Sequence, residues 1–320
     1  MTRPVPLLLV GLALAVPLSL LAGRVWIDPF SPETQNAAVI LMQLRMPRAV
    51  LALAVGAGLG GAGAAMQGYL RNPLADPGLF GIAPGAALGA VLSFWLGYAA
   101  GPWALPVFAL VGAGGAMGLL ALIAGRDGGI ALFTLAGLMI ASLAGALMSL
   151  AISLSPTPFA MSEIVTWLMG ALADRSWREV WIAAPLTLVG LTFLKLAGRN
   201  LDALTLGEAA ARSLGVDPRR LQWLLIVGVG LTVGAGVAVA GIIGFVGLIV
   251  PHLVRPLTDR RPSSLLLPSA LAGALLLLVA DCLCRVLPLA GGELRLGIAL
   301  SLIGAPFFLH LLLKMRKGLA

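Results

Sequence analysis

Long apolar runs separated by short polar segments make up almost the whole chain. Each run is close to the roughly 20 residues that a helix needs to cross a bilayer. We therefore predict an all-α polytopic membrane protein with ten spans and a short amphipathic surface helix at 159–176. The predicted spans are about 5–25, 46–69, 79–99, 103–124, 130–152, 179–197, 222–242, 244–256, 265–287 and 295–313. The first is interpreted as an uncleaved helix, and residues 26–43 as a connection outside the membrane.

A short sequence repeat relates the two halves of the chain. The run VGAGL at 55–59 recurs as VGVGL at 227–231, and each copy follows a Pro–Arg pair. These copies lie in the second and seventh predicted spans. Five spans separate them, so they have opposite orientations. We therefore predict an inverted repeat, which in transporters builds the pathway at the interface between the repeats.

Small residues dominate the second span. Gly56, Gly60 and Gly63 recur at helical spacings of three and four. In lipid, a face of small residues lets helix backbones approach closely. This pattern predicts a tightly packed helix, and by itself it is typical of many polytopic proteins.

Composition supports a membrane protein with a single domain. The chain has 320 residues, of which 60% are hydrophobic and 11% are charged, whereas soluble domains carry about 25% charged residues. No room remains for a sizeable soluble domain, so residues 1–320 are predicted to form one transmembrane domain. The net charge of +8 does not indicate nucleic-acid binding, because the basic residues are scattered over the loops.

Loop charges orient the predicted spans. With the N-terminus in the cytoplasm, fourteen of the 21 Lys and Arg residues fall on the cytoplasmic side and seven fall outside. Cytoplasmic loops of membrane proteins are enriched in Lys and Arg. This bias predicts that both termini are cytoplasmic.

No pattern typical of a catalytic or metal site is present. His252 and His310 lie in different spans, and no G-x-x-x-x-G-K-[ST] phosphate loop occurs. Asp281 precedes Arg285 by four residues, a spacing that allows the two side chains to pair on one helix face. A secondary transporter with inverted repeats is the alternative interpretation. It would be expected to carry ionisable groups at mid-membrane, and the spans contain almost none.

Four motifs in order resemble the FecCD-type permeases, the membrane subunits of ABC importers for iron–siderophore, haem and vitamin B12. They are Arg45-Met46-Pro47-Arg48, the loop Asn72-Pro73-Leu74-Ala75-Asp76-Pro77-Gly78, the segment 241–255 with Pro251-His252 and Arg255, and Gly304-Ala305-Pro306 near the C-terminus. At the last motif, Arg295-Leu296 replaces the family's leucine–proline. The resemblance covers about residues 40–315 and implies a fold like that of the vitamin B12 importer permease.

The resemblance implies a function and partners. The chain would be the permease of a type II ABC importer in a bacterial inner membrane. It would work as a homodimer with two ATPase subunits and a periplasmic substrate-binding protein, and ATP and Mg²⁺ would bind the ATPase rather than this chain. The chain itself would be no enzyme and would bind no cofactor. Which chelate it carries, a siderophore, haem or cobalamin, is left open.

The resemblance also implies roles for particular residues. Arg45, Arg48 and Arg285 would dock the binding protein. The cytoplasmic gate would be formed by Asn72, Pro73, Leu74, Ile130 and Ala131. Short cytoplasmic helices at about 203–220 would couple the permease to the ATPase through Gly207, Glu208, Ala209, Ala210, Arg212 and Gly215. Asp217 and Pro218 predict the start of the second of these short helices.

Overall fold

The computed structural model describes residues 4–23, 35–125, 129–287 and 292–319, and within these ranges the regular structure is helical. The α-helices are α1 (Pro4–Leu21), α2 (Gln35–Val39), α3 (Met46–Tyr69), α4 (Ile82–Trp95), α5 (Ala104–Ala124), α6 (Ile130–Ser153), α7 (Pro158–Leu168), α8 (Trp177–Leu204), α9 (Glu208–Ser213), α10 (Pro218–Ala240), α11 (Val246–Val254), α12 (Pro262–Val286) and α13 (Leu296–Leu319). A π-helical turn, Ile40–Arg45, joins α2 to α3, and 3-10 turns occupy Pro77–Phe80 and Arg255–Leu257.

Each of the ten predicted spans corresponds to a helix, and eight of these helices are long and apolar enough to cross a membrane. The third and eighth are shorter, at Ile82–Trp95 and Val246–Leu257. The reason is local. Gly81 adopts the left-handed conformation and separates the 3-10 turn from α4, and residues 241–245 are not helical before α11 begins. The predicted bounds of the third span were therefore too long, whereas the eighth span was correctly predicted to be short and begins two residues later than predicted.

Helix α3 lies at the centre of the bundle. It contacts α1, α8, α10, α11 and α12, and 78% of its most apolar window is buried. A Cβ added at Gly56, Gly60 or Gly63 would lie closer than 3.0 Å to backbone atoms of Gly273, Ser269 and Gly247, respectively. The close approach predicted from the small residues is confirmed, and its partners are α12 and α11.

The helix pairs in contact agree with the repeat. Helix α3, in the first half of the chain, contacts α11 and α12 of the second half. Helix α10, in the second half, contacts α4 and α5 of the first half. Exchanging the second span with the seventh, the third with the eighth and the fourth with the ninth maps one set of contacts onto the other. The weak sequence repeat therefore corresponds to a repeat in packing.

Several predicted boundaries were wrong. Residues 35–43, which belong to the predicted connection outside the membrane, are helical and lead into α3, while 24–34 lie outside the described residues. The surface helix ends at Leu168 and not at 176, and α8 continues to Leu204. Arg3, Arg24, Arg126 and Asp127 also lie outside the described residues.

The segment predicted to form two short helices contains only one. Helix α9 is the first, and Asp217 caps the next helix by accepting from the N–H of Arg219 at 2.9 Å. That helix does not stop after a few residues but runs as α10 to Ala240. Residues 214–217 therefore connect α9 to a long helix that contacts α3.

Candidate functional site

Hydrogen bonds hold the loop after α3 in a tight turn. The Asn72 side-chain oxygen accepts from the N–H of Leu74 at 2.9 Å, and the Asn72 N–H donates to the Gln67 carbonyl at 3.1 Å. Asp76 caps the following 3-10 turn through the N–H of Gly78 at 2.7 Å. Such local side-chain bonds to the backbone fix turns. The predicted gate residues Asn72, Pro73 and Leu74 thus belong to an ordered structure.

Asp76 also faces the interior. With Val55, Val237 and Gly241 it lines a cavity of about 70 Å³ beside the non-helical segment between α10 and α11. Burial raises the pKa of Asp76, and the Gly78 N–H acts in the opposite direction. Non-helical backbone at membrane depth is tolerated where it is buried in protein or lines a cavity. The loop, the helix break and the cavity therefore form one site, which the sequence did not reveal.

Aromatic side chains connect this loop to α6. The Phe133 ring lies 5.1 Å from the Tyr69 ring and 5.3 Å from the Phe80 ring, between centroids. Phe133 belongs to the first turn of α6, so the structure places this turn next to the loop. Ile130 is half-buried and Ala131 is exposed. Phe133 is the residue of this turn that contacts both ends of the loop.

Gln67 joins α3 to the first turn of α11 and to Arg255, the residue that follows this helix. Its side-chain nitrogen donates to the carbonyls of Gly247 and Leu248 at 3.4 and 3.3 Å, and its side-chain oxygen accepts from Arg255 at 2.8 Å. Gln67 is only 2% exposed. A buried amide with partners on both sides links two helices firmly. The arginine that follows the Pro251-His252 pair thus has a partner on α3. In contrast, the buried Nδ1 of His252 has no hydrogen-bond partner among the described residues.

Helix α9 lies beside the same end of α3. Glu208 and Arg212 line a cleft of about 30 Å³ together with Ile130, Tyr69 and Gln222. Within it, the Gln222 side-chain nitrogen donates to the Tyr69 hydroxyl at 3.1 Å. The structure therefore brings Ile130 next to the α9 residues Glu208 and Arg212. Tyr69 and Gln222, which the sequence interpretation missed, join α3 to α10 at the side of this cleft.

Glycines with positive φ bound α9. Gly207 has φ 101° and Gly215 has φ 86°, a conformation that other residues adopt only with strain. Ala211 is buried against the bundle, Ala209 and Arg212 are exposed, and Ala210 is half-buried. Leu206 and Leu214 flank the helix and are 67% and 64% exposed. The helix thus presents a short surface with two exposed leucines.

The three arginines predicted to point outward lie at the opposite end of the bundle from the loop. The two ends of α3 are about 30 Å apart, because an α-helix rises 1.5 Å per residue. Arg45 donates to the carbonyls of Leu20 and Leu21, at 2.8 and 2.7 Å, where α1 ends. A cation at a helix C-terminus satisfies carbonyls that lack a partner within the helix. Arg45 thus ties α3 to α1.

The other two arginines belong to a buried ionic group that we call the Arg48 cluster, formed by Arg48, Asp281, Arg285 and Glu293. Arg48 Nε lies 3.0 Å from both Asp281 oxygens, and Arg48 Nη2 lies 2.9 Å from Asp281 Oδ1 and 2.8 Å from Glu293 Oε2. Arg285 Nε lies 3.1 Å from Asp281 Oδ2. The predicted pairing of Asp281 with Arg285 is confirmed.

The Arg48 cluster differs from an ordinary surface ion pair because three of its side chains are largely buried. The Arg48, Arg285 and Asp281 side chains are 12%, 4% and 1% exposed. The expectation that Arg48 and Arg285 present their charge outward does not match these contacts. Their role in docking a partner is not tested by the contacts and stays a prediction.

Comparison with known proteins places the whole chain in a known group. The model of the FecCD transport family matches residues 7–314. The vitamin B12 import system permease protein BtuC of Vibrio cholerae is 40% identical over 314 residues, covering 96% of this chain and 93% of the relative. BtuC of Citrobacter koseri is 39% identical over 307 residues, covering 95% and 92%.

Solved structures agree with this placement. A metal-chelate type ABC transporter in an inward-facing conformation superposes with a TM-score of 0.88 at 33% identity, covering 96% of this chain and 97% of that one. PsaBC of Streptococcus pneumoniae, solved with a Fab, superposes with a TM-score of 0.54 at 19% identity, covering 87% and 91%. The second likeness concerns the fold alone.

Proposed function

This chain belongs to the FecCD transport family, and from that premise we propose that it is the permease of a type II ABC importer that moves vitamin B12 into the cytoplasm. The observation that carries the proposal is the 40% identity to the Vibrio cholerae vitamin B12 permease, over 93% of that relative. A metal chelate, such as haem or a ferric siderophore, is the second candidate, because the structural relative at a TM-score of 0.88 is a metal-chelate type transporter.

The proposed assembly has two copies of this chain, two ATPase subunits and a periplasmic substrate-binding protein in a bacterial inner membrane. Only 28% of the most apolar windows of α6 and α13 is buried within one chain, so these helices are available to pack against a second copy or against lipid. The chain has no phosphate-loop sequence, so ATP and Mg²⁺ are assigned to the partner ATPase. Both termini are assigned to the cytoplasm.

Coupling is assigned to α9 and its flanking glycines, with Gly207, Glu208, Ala209, Ala210, Arg212 and Gly215 at the ATPase surface. The exposed Leu206 and Leu214 support this assignment, since paired apolar side chains at a rigid surface element are typical of a protein contact. The Tyr69–Gln222 hydrogen bond joins α10 to α3, and only residues 214–217 separate α9 from α10. Movement of α9 would then displace the end of α3 that precedes the loop.

The cytoplasmic gate is assigned to Asn72, Pro73 and Leu74, with Ile130 and Ala131 at the start of α6. The hydrogen-bonded turn and the Phe133 contacts support a gate with defined positions. Arg45, Arg48 and Arg285 stay in the proposal as residues at the face where the binding protein docks. Their internal bonds mean that docking would have to use the few N–H groups that remain.

The test is ATP-dependent uptake of radiolabelled cobalamin by cells that carry permease variants. Ala210→Pro breaks α9, so we expect the permease to reach the membrane and uptake to be lost. Ala210→Ser, the matched control, keeps the helix and should keep uptake. Uptake that persists with Ala210→Pro would contradict the coupling assignment. Uptake that is independent of ATP and is abolished by a protonophore would favour the secondary transporter.

A further inference from the structure

A small polar pocket opens at the end of the bundle that carries the Arg48 cluster. Its volume is about 260 Å³, and its walls come from the segment between α4 and α5, the start of α8 and the last turn of α10. The Trp177 indole N–H donates to the Met42 carbonyl at 2.8 Å, which places the start of α8 beside Arg45. The pocket therefore belongs to the face at which we predict docking.

Two arginines line this pocket, and one of them is already engaged. Arg178 Nε and Nη2 lie 2.8 and 2.6 Å from Glu179 Oε1, and the guanidinium lies 6.0 Å from the Trp103 ring centroid. The other Glu179 oxygen accepts from the N–H and the hydroxyl of Ser176, at 2.7 and 2.8 Å. Glu179 thus uses both oxygens for Arg178 and for capping α8.

The second arginine of the pocket, Arg175, lacks a comparable partner. Its Nε is buried and has no hydrogen-bond partner among the residues that the structure describes. Burial lowers the pKa of Arg175, and Arg178 and Arg295 add repulsion, while Glu179 and Asp174 attract it from a distance. A guanidinium stays protonated in proteins. The half-buried guanidinium of Arg175 thus has a buried Nε that a bound anion would satisfy.

We infer that the pocket around Arg175, Arg178 and Glu179, which we call the Arg175 pocket, receives an acidic side chain of the substrate-binding protein. This inference rests on the proposed function. Arginine with a free edge favours planar carboxylates, which it can bind through paired N–H groups. The opposite wall is Ala99, Ala100 and Gly101, small residues that leave space for an incoming side chain.

The size and position of the pocket support this source of the carboxylate. Pockets for drug-sized ligands measure roughly 300–1,000 Å³, so 260 Å³ suits one side chain better than a whole chelate. Arg48 and Arg285, on the same face, already bind Asp281. Charge complementarity at the rim of an interface directs orientation and association, and Arg175 is placed to provide it.

The first experiment tests whether the pocket binds a carboxylate. Purified permease in nanodiscs is treated with phenylglyoxal, and modification of each arginine is followed by peptide mass spectrometry. The probes are N-acetylglutamate α-amide at millimolar concentration and its uncharged analogue N-acetylglutamine amide. We expect only the glutamate probe to slow modification of Arg175, and neither probe to affect the exposed Arg199. Equal modification of Arg175 with both probes would overturn the inference.

The second experiment tests the source of the carboxylate in cells that retain the native partners. Removing one member of a buried charge pair at an interface weakens association by about 30-fold or more. Arg175→Gln should therefore reduce cobalamin uptake at low substrate concentration at least about tenfold. Arg175→Lys should restore part of it, and the control Arg199→Gln should behave as wild type.

A stability measurement separates docking from a structural role. If Arg175 awaits a partner, Arg175→Gln removes an uncompensated charge and raises the unfolding midpoint of the isolated permease while uptake falls. A lower midpoint together with lower uptake would show a structural role and overturn the inference. If wild-type cells take up no cobalamin through this permease, the proposed substrate is wrong, and the phenylglyoxal experiment still decides whether the pocket binds a carboxylate.

Discussion

Replacing Arg48 should destabilise the permease itself, before any partner binds. Arg48 makes three contacts of 2.9–3.0 Å to Asp281, whose side chain is 1% exposed. Breaking a buried ion pair by removing one partner costs about 3–5 kcal/mol, because the other charge stays buried. In Arg48→Gln, Asp281 keeps its contact with Arg285 at 3.1 Å, so we expect the free energy of unfolding to fall by about 3 kcal/mol. Asp281→Asn strips both arginines of their shared counterion and should cost more.

The cluster offers its own reporters for this measurement. Cys282 and Cys284 are free thiols on α12, and Arg285 Nη2 lies 3.3 Å from the Cys282 sulfur. Thermal unfolding in detergent can be followed with a thiol-reactive fluorophore, whose signal rises as this part of α12 opens. Arg199→Gln is the matched control, because Arg199 is exposed on α8 and surface changes are usually within about 0.5 kcal/mol.

The outcome also decides between two roles for Arg48. If Arg48→Gln leaves the unfolding midpoint at the wild-type value and weakens only the association with the binding protein, the internal role argued from the Arg48 cluster is wrong. Docking would then be its main role. If the midpoint falls for Arg48→Gln and falls further for Asp281→Asn, the cluster is a structural clamp between α3 and α12.

Three further changes test other parts of the structure. Gly56→Ala should lower the unfolding midpoint, since its Cβ would lie closer than 3.0 Å to the α12 backbone. In the control Gly114→Ala the new Cβ meets nothing within 4 Å, so this change should add up to about 1 kcal/mol of helix stability. Equal effects of the two changes would contradict the packing argument. Gln67→Leu removes the acceptor of Arg255, so we expect a loss of about 1.5–3 kcal/mol in the same unfolding assay, and a neutral result would show that the α3–α11 contact needs no hydrogen bond. Asn72→Ala removes the acceptor of the Leu74 N–H and should raise passive leak of cobalamin from proteoliposomes; unchanged leak would argue against the gate.

The local sequence pattern was enough to predict the helices and several of the residues that cap them. The ten apolar runs each correspond to a helix because burial of apolar length in lipid depends on composition and length alone. Asp217-Pro218 marked the start of α10, and Gly207 and Gly215 bound α9 at positive φ. The Asp281–Arg285 contact followed from helical spacing. These features involve residues close in sequence, so the sequence contains their geometry.

The helix ends depended on contacts that the sequence does not show. Asp202 accepts from the N–H of Ser263 at 2.8 Å, and this contact with α12 accompanies the extension of α8 beyond its predicted end at 197. The segment at 35–45 is helical although its polarity is mixed, and its second half, Ile40–Arg45, packs on α1 and α3. In both cases tertiary contacts outweigh local composition, which is a weak guide to where a helix ends.

Only the tertiary structure decided what the charged residues do. The sequence indicates that Arg48 lies at a helix end, but its partner Asp281 is 233 residues away, and local spacing carries no information about such a pair. The same holds for Gln67 with Arg255 and for Tyr69 with Gln222. Arg175 falls in the predicted surface helix at 159–176 and counts there only as one of the seven charges outside, yet folding buries its Nε without a partner among the described residues. A charge in a loop is solvated at little cost, whereas folding removes water from some charges and not from others, and that selection is set by the packing of distant segments.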